Sequence, residues 1–290
     1  MRFAVPINAG FVLVVAAVYS LVSVSARVAY DSGSNALTVV TLRTLFVGAV
    51  LWIYLNARGV PWSLPPRDRY RALALGALLG ICTFMLNKAI QIIPVAVAIL
   101  VFYTYPLLTS IISWITGTER FTLRVAVSLL LAFAGLALTL QVKGGPLSAS
   151  GLTYASLSAV GWGMLMYLTG RAFSGADSRP RTMHMMASAG ALFIIACAVT
   201  GGVALPGTPA GWMGFAGVPL FYSFAIIGTM AAVGAIGAMK TSFYSNLESV
   251  TTILFSALIL DQYMTPVQLA GAALVIFALT LFKMPKAGAG

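Results

Sequence analysis

Acidic residues are scarce in this chain: six among 290, against seventeen Lys and Arg and a single His. No two carboxylates stand at helical spacing, and no Ser/His/Asp set can be assembled. Rossmann and P-loop glycine patterns are also missing, so no enzymatic chemistry can be placed. His184 has no second ligand beside it, which removes a metal site. The two cysteines, Cys82 and Cys197, lie inside apolar runs without CxxC spacing. They act there as small hydrophobes, and a structural disulfide is not expected. Charged residues make up 8% of the chain, too few to clothe a soluble domain.

What is present is apolar: 60% of residues are hydrophobic and the mean hydropathy is +0.98. A bilayer core about 30 Å thick takes roughly 20 residues per helical span, so the chain has room for about ten. Apolar runs between charges and Pro/Gly breaks place spans near 7–27, 36–57, 71–91, 94–116, 122–142, 149–171, 181–203, 211–232, 237–260 and 266–284. The expected fold is therefore an all-α membrane protein with ten transmembrane helices. Arg2 and the apolar run to Ser23-Val24-Ser25-Ala26 have the look of a secretory leader, but the run is long enough to span and is read as the first helix.

In a soluble protein a net charge of +11 would suggest nucleic acid; here the basic residues sit mostly in short gaps between spans and report topology instead. Arg2, the group Arg58, Arg67, Arg69 and Arg71, the pair Arg120 and Arg124, then Arg171, Arg179, Arg181, Lys283 and Lys286 all fall on one side. Only Arg27 and Lys143 fall on the other. This bias predicts that both termini are cytoplasmic.

The chain also repeats itself. Phe102-Tyr103-Thr104 recurs 141 positions later in Phe243-Tyr244-Ser245, and Leu136-Ala137-Leu138-Thr139-Leu140 recurs at the same offset in Phe277-Ala278-Leu279-Thr280-Leu281. Residues 1–145 and 146–290 are thus read as two five-helix repeats, forming one integral membrane unit. Five is odd, so the second repeat is inverted, the arrangement in which two halves exchange conformations around a central site. Glu248 stands where the first copy has Leu107. Small residues such as Gly76 and Gly80 fit close helix packing.

Candidate site residues are polar or aromatic side chains deep in spans. Glu248 lies about 13 Å into the ninth span, near the midplane, on a stripe with Lys240, Tyr244 and Thr252. A structural partnership with Lys88, Arg43 or a tyrosine is the competing reading. On the third span Phe84, Asn87, Lys88 and Gln91 form a second stripe, in which Lys88 can alternatively snorkel to the interface. Tyr103 and Trp162 are too deep for an interfacial belt, and Tyr19 with Ser23 makes a weaker stripe on the first span. Arg43 aligns with His184 at the same offset, which favours a shared structural role over ligand contact.

With ten spans, two five-helix halves, the Pro106…Glu119 pattern, Trp162 and Arg43, the chain resembles the drug/metabolite transporter superfamily, EamA type. Its first span departs, with Ser20-Leu21 where many members show a Trp-Gly-like pair, and the second half has no proline matching Pro106. The nearest likeness is to the YddG-type aromatic amino-acid exporters. The resemblance implies a basket of ten helices around a central cavity in a bacterial inner membrane. It also implies alternating-access export of aromatic and other neutral amino acids by a monomer without cofactor or metal. The cavity residues would be Tyr19, Phe84, Asn87, Lys88, Tyr103, Trp162, Tyr244 and Glu248. A different substrate such as a cationic drug is the alternative within that class, and a non-transporting membrane scaffold the alternative outside it. With no P-loop, energy would come from gradients.

Overall fold

The structure, a computed structural model, describes residues 7–141, 148–259 and 264–282. Arg2, Lys143, Lys283 and Lys286, all counted in the charge bias, lie outside the described residues, as does the junction at 145/146.

Twelve helical segments follow one another: α1 (Ala9–Asp31), α2 (Ala36–Ala57), α3 (Pro66–Ile92), α4 (Val95–Phe102), α5 (Tyr105–Ile115), α6 (Leu123–Thr139), α7 (Ala149–Phe173), α8 (Ser178–Thr200), α9 (Pro209–Ile236), α10 (Ala238–Tyr244), α11 (Leu247–Ile259) and α12 (Pro266–Leu281). Segments α4 and α5 together form one span, as do α10 and α11, so the described residues hold ten helices. Six are long and apolar enough to cross a membrane, and α6 and α12 are shorter apolar helices. Exposed apolar side chains such as Trp52, Ile53, Leu130, Ile195 and Phe277 cover the outer surface, as contact with lipid tails requires.

Helix starts coincide with cap residues. Asn8, Asn35, Thr122, Asp177 and Thr208 each accept a hydrogen bond from a first-turn amide, and Thr265 with Gln268 forms a reciprocal capping box. The third helix begins at Pro66, earlier than hydropathy predicts. A proline at the first position and Asp68 in the first turn stabilise a polar extension beyond the apolar run. Helix α9, the eighth span, continues to Ile236 through Pro219, and the Ser223 hydroxyl donates to the Pro219 carbonyl at 2.6 Å. Elsewhere the boundaries match the hydropathy reading to within a few residues.

Packing depends on glycine where backbones cross most closely. At Gly135 on α6 an added Cβ would come 2.8 Å from the Gly271 carbonyl on α12, and at Gly271 it would come 2.6 Å from that of Gly135. Helices α3 and α8 meet at Gly76, where Ser188 also donates to the Leu73 carbonyl at 2.7 Å. The largest core cluster lies between α1, α2, α3, α7, α8 and α9 and includes Leu55, Leu79, Met185, Met186 and Ile226.

The two interrupted spans position the site. The first stops at Tyr103-Thr104, where Pro106 lacks the amide that would bond the Phe102 carbonyl. The second stops at Ser245-Asn246 without a proline. There the ladder tightens to three-residue bonds, Glu248 amide to Ser245 carbonyl at 3.0 Å and Ser249 amide to Asn246 carbonyl at 3.2 Å. The side chain of Asn246 donates to the Phe243 carbonyl at 2.8 Å, taking up backbone bonding that a continuous helix would supply.

Candidate functional site

A cavity of about 580 Å³ runs from the middle of the bundle to the end where α1 passes into α2. Arg27 and Tyr30, both exposed, stand at that mouth. Such a volume suits a small organic molecule. The inner part is built where the two interruptions meet α1, α3 and α7.

One wall is aromatic. Trp162 on α7 meets Phe102 edge-on at 5.6 Å between centroids and Tyr105 at 6.3 Å. Tyr103 lies 5.7 Å from Phe102 and 5.9 Å from Tyr105. The four rings therefore support one another and offer faces and edges to a guest ring. They converge because the interruption swings Tyr103 and Tyr105, which a straight helix would place on opposite sides, to the same cavity.

Charge lies against these rings. Glu248 on α11 faces the cavity beside the Tyr103 hydroxyl, and Arg43 reaches it from α2. Among the described residues Glu248 forms no salt bridge. The Arg43 guanidinium rests on the ring of Tyr222, 4.3 Å from its centroid, and its Nε is buried without a hydrogen-bond partner among the described residues. A π face attracts the cation but satisfies none of its directional donors. Tyr19 joins this group, edge-on to Tyr222 at 5.8 Å. Asn87 donates to the Thr83 carbonyl at 2.9 Å, leaving its side-chain oxygen free to accept. Among the described residues no three His, Cys, Asp or Glu side chains group closely enough to hold a metal ion.

Of the eight residues expected here, Tyr19, Asn87, Tyr103, Trp162 and Glu248 come together around the cavity. Phe84, Lys88 and Tyr244 do not. The cavity face of α3 is Cys82, Thr83, Leu86, Asn87 and Ile90, while Phe84 is exposed on the neighbouring face. Lys88 lies over the Phe84 ring at 5.7 Å and reaches Gln91 at 3.5 Å, consistent with snorkelling. Tyr244 fails for another reason: the interruption at Ser245-Asn246 ends the stripe that a continuous helix would have extended from Lys240 to Thr252. Tyr244 packs edge-on against Phe282 at 5.6 Å, and only Glu248 and Thr252 keep to the cavity.

Arg43, which the sequence pattern favoured as structural, also lines the cavity. Its pairing with His184 suggested a shared structural role, yet the two sit differently. His184 is buried with Nδ1 2.9 Å from the Pro180 carbonyl and its ring 6.4 Å from Trp62, away from the cavity. The signal that could have found Arg43 was its depth in an apolar span, the criterion that singled out Glu248.

A model of the EamA-like transporter family matches the chain twice, over residues 7–141 and 149–284. One solved crystal structure has the same fold at a TM-score of 0.78 and 18% identity, with 94% of this chain and 96% of that chain covered. Among curated protein sequences none matches this chain.

Proposed function

Because this chain belongs to the EamA-like transporter family, we propose that it exports aromatic and other neutral amino acids by alternating access. A membrane transporter of this family moves a small molecule across the bilayer and is not an enzyme. The substrate is argued from the cavity, and one observation carries the reading. Four aromatic rings, a carboxylate without a salt bridge among the described residues and the Arg43 guanidinium line the same space. An aromatic amino acid has a matching ring, ammonium and carboxylate. Its ring would stack among Tyr103, Tyr105 and Trp162, its ammonium would meet Glu248, and its carboxylate would meet the Arg43 fork and complete that group's bonding. Asn87 supplies a further acceptor.

A cationic drug would use the same rings and Glu248, but Arg43 in the same cavity repels a lone cation. That disfavours the alternative without touching the family assignment.

An inverted repeat supports alternating access, and the packing agrees with one. Exchanging the first five spans for the last five turns the α1–α9 pair into α7–α3 and the α2–α9 pair into α8–α3, while α2–α8 and α6–α12 map onto themselves. Both interrupted helices are also related by the exchange. In this reading residues 1–145 and 146–290 are the two repeats, the protein sits as a monomer in a bacterial inner membrane, and both termini are cytoplasmic. The cavity of this structure then opens outward.

Purified protein in liposomes should accumulate radiolabelled phenylalanine, tyrosine and other neutral amino acids down their gradients, with mutual competition. Transport of a cationic dye without amino-acid transport would replace this substrate class. Absence of any flux would favour the scaffold reading.

A further inference from the structure

A second pocket, also of about 580 Å³, lies at the opposite end of the bundle, between the ends of α5, α7 and α9 and the start of α10. Its wall includes Ser113, Glu119, Tyr167, Val233, Ala238 and Lys240. Between it and the central cavity stands a thin apolar layer. Tyr105, Met166, Val233 and Ala238 pack in one cluster; the first two line the central cavity and the last two line the second pocket. We propose that the two pockets are the two ends of a single pathway, and that Glu119 is the latch that keeps the layer between them shut. This rests on the reading of the central cavity as the substrate site.

The layer is assembled from four elements, α5, α7, α9 and α10, of which α5 and α10 belong to the interrupted spans. A movement of either half-helix opens it. What holds α10 is Glu119, which sits in the loop after α5. Its Oε1 accepts the Met239 amide at 3.3 Å and stands against Gly237, the joint between α9 and α10. Gly237 has φ +93, and a Cβ there would come 2.7 Å from that oxygen. Only glycine combines this backbone conformation with so close an approach. The carboxylate thus ties the first half of the chain to the hinge of the second.

The closed arrangement also leaves polar groups in want of partners. Among the described residues, Glu119 Oε2 and the Ser113 hydroxyl, both in the pocket wall, are buried without hydrogen bonds. Thr169 and Ser242, on the adjoining helices α7 and α10, are in the same condition. Such groups are costly when dry and gain water when a layer parts, so the shut state is not overdetermined. Burial pushes the Glu119 carboxyl above its ordinary range, opposed by the Met239 amide and Lys240, which again describes a group held at some cost.

The test follows access to the central cavity from the face bearing Arg120 and Arg171. In protein with Cys82 and Cys197 replaced by alanine, Ser245→Cys places a thiol in the central cavity. A membrane-impermeant maleimide applied to that face should label it slowly in the parent. Labelling should become about tenfold faster in Glu119→Ala, the population shift expected when one charge-assisted hydrogen bond is lost. Gly237→Ala, which crowds the carboxylate off its amide, should act in the same direction. Should Glu119→Ala fail to fold, Glu119→Gln serves in its place with a smaller acceleration. Unchanged labelling in a folded Glu119 variant overturns the latch. Met166→Ala thins the layer itself, and if it leaves the thiol inaccessible from that face, the two pockets are not one pathway. Labelling needs no substrate. Altered access in a protein that carries no amino acid would therefore sink the substrate reading alone, and unchanged access in a working exporter would sink the latch alone.

Discussion

The two interrupted spans have the same position in their halves and opposite chemistry. In the first, a proline breaks the ladder and the freed turn presents Tyr103 and Tyr105. In the second, Asn246 and shortened backbone bonds make the break, and the turn is followed by Glu248. Positions related by the offset of 141 diverge throughout. Tyr103 faces the cavity while Tyr244 packs on Phe282; Glu248 faces it while Leu107 packs against the cluster of Val125, Leu129, Met239 and Phe243. Arg43 lines the cavity and His184 is buried elsewhere. Two halves that match one family model thus carry equivalent helix breaks, and sequence divergence has given one break rings and the other a carboxylate. The proposed substrate, a zwitterion with a ring, is asymmetric, so a symmetric lining would serve it poorly.

The largest effect should come from removing the charge that only one half has. Glu248→Gln should lower apparent substrate affinity by about 10- to 100-fold, corresponding to roughly 1.5–3 kcal/mol for a charge-assisted hydrogen bond, with melting temperature maintained. If stability falls while affinity in the surviving folded protein is normal, Glu248 is a structural partner. Moving the acid to the other half, Leu107→Glu with Glu248→Leu, should not restore binding, because position 107 points into packed side chains.

Arg43→Lys should weaken binding by about tenfold. It keeps the charge but loses the planar fork that can grip a carboxylate in two places. Equal affinity for a substrate amide and the free amino acid in the parent protein would show that no carboxylate is being read there.

Tyr103→Ala and Tyr244→Ala should part company. The first should reduce transport several-fold with little change in melting temperature. The second should cost about 2 kcal/mol of stability, as for a half-buried aromatic cut from a core, and leave affinity intact. Identical behaviour of the two variants would mean that the halves are functionally equivalent, against the division of labour described here.

The smallest expected effect lies outside both interruptions. At the start of α8, burial alone would raise the Asp177 carboxyl, but hydrogen bonds from the Arg179 side chain and amide hold it below its ordinary value of 3.8. A depressed folded-state value means that this cap contributes fully above the ordinary value and is lost as pH falls through the lower one. Asp177→Asn should therefore flatten the stability profile only below about pH 4. Exposure and salt screening keep the effect slight. Transport at neutral pH should not change.

How much of this was legible beforehand depends on the kind of signal. Span limits followed from hydropathy, since each helix crosses the same apolar slab. That Glu248, Tyr103 and Trp162 lie in the interior of apolar runs was equally plain. Direction was harder. One residue of error in the rotation of α3 moved Phe84 and Lys88 from cavity to outer face, and helical periodicity carried across Ser245-Asn246 put Tyr244 on the wrong side. The sequence contained the repeat at Phe102 and Phe243, but nothing in it announced that the repeated motif is the place where both helices break.

By itself the sequence determined the transmembrane class, the all-helical architecture and the division into two similar halves. These depend on composition and on position along the chain, which local physics reads directly. Only the tertiary structure decided which side of each helix faces the cavity, that Arg43 joins Glu248 there, and that Glu119 reaches the joint at Gly237. Those relations arise between residues tens to hundreds of positions apart, where helix rotation, a shortened hydrogen-bond ladder and close backbone crossings set the outcome.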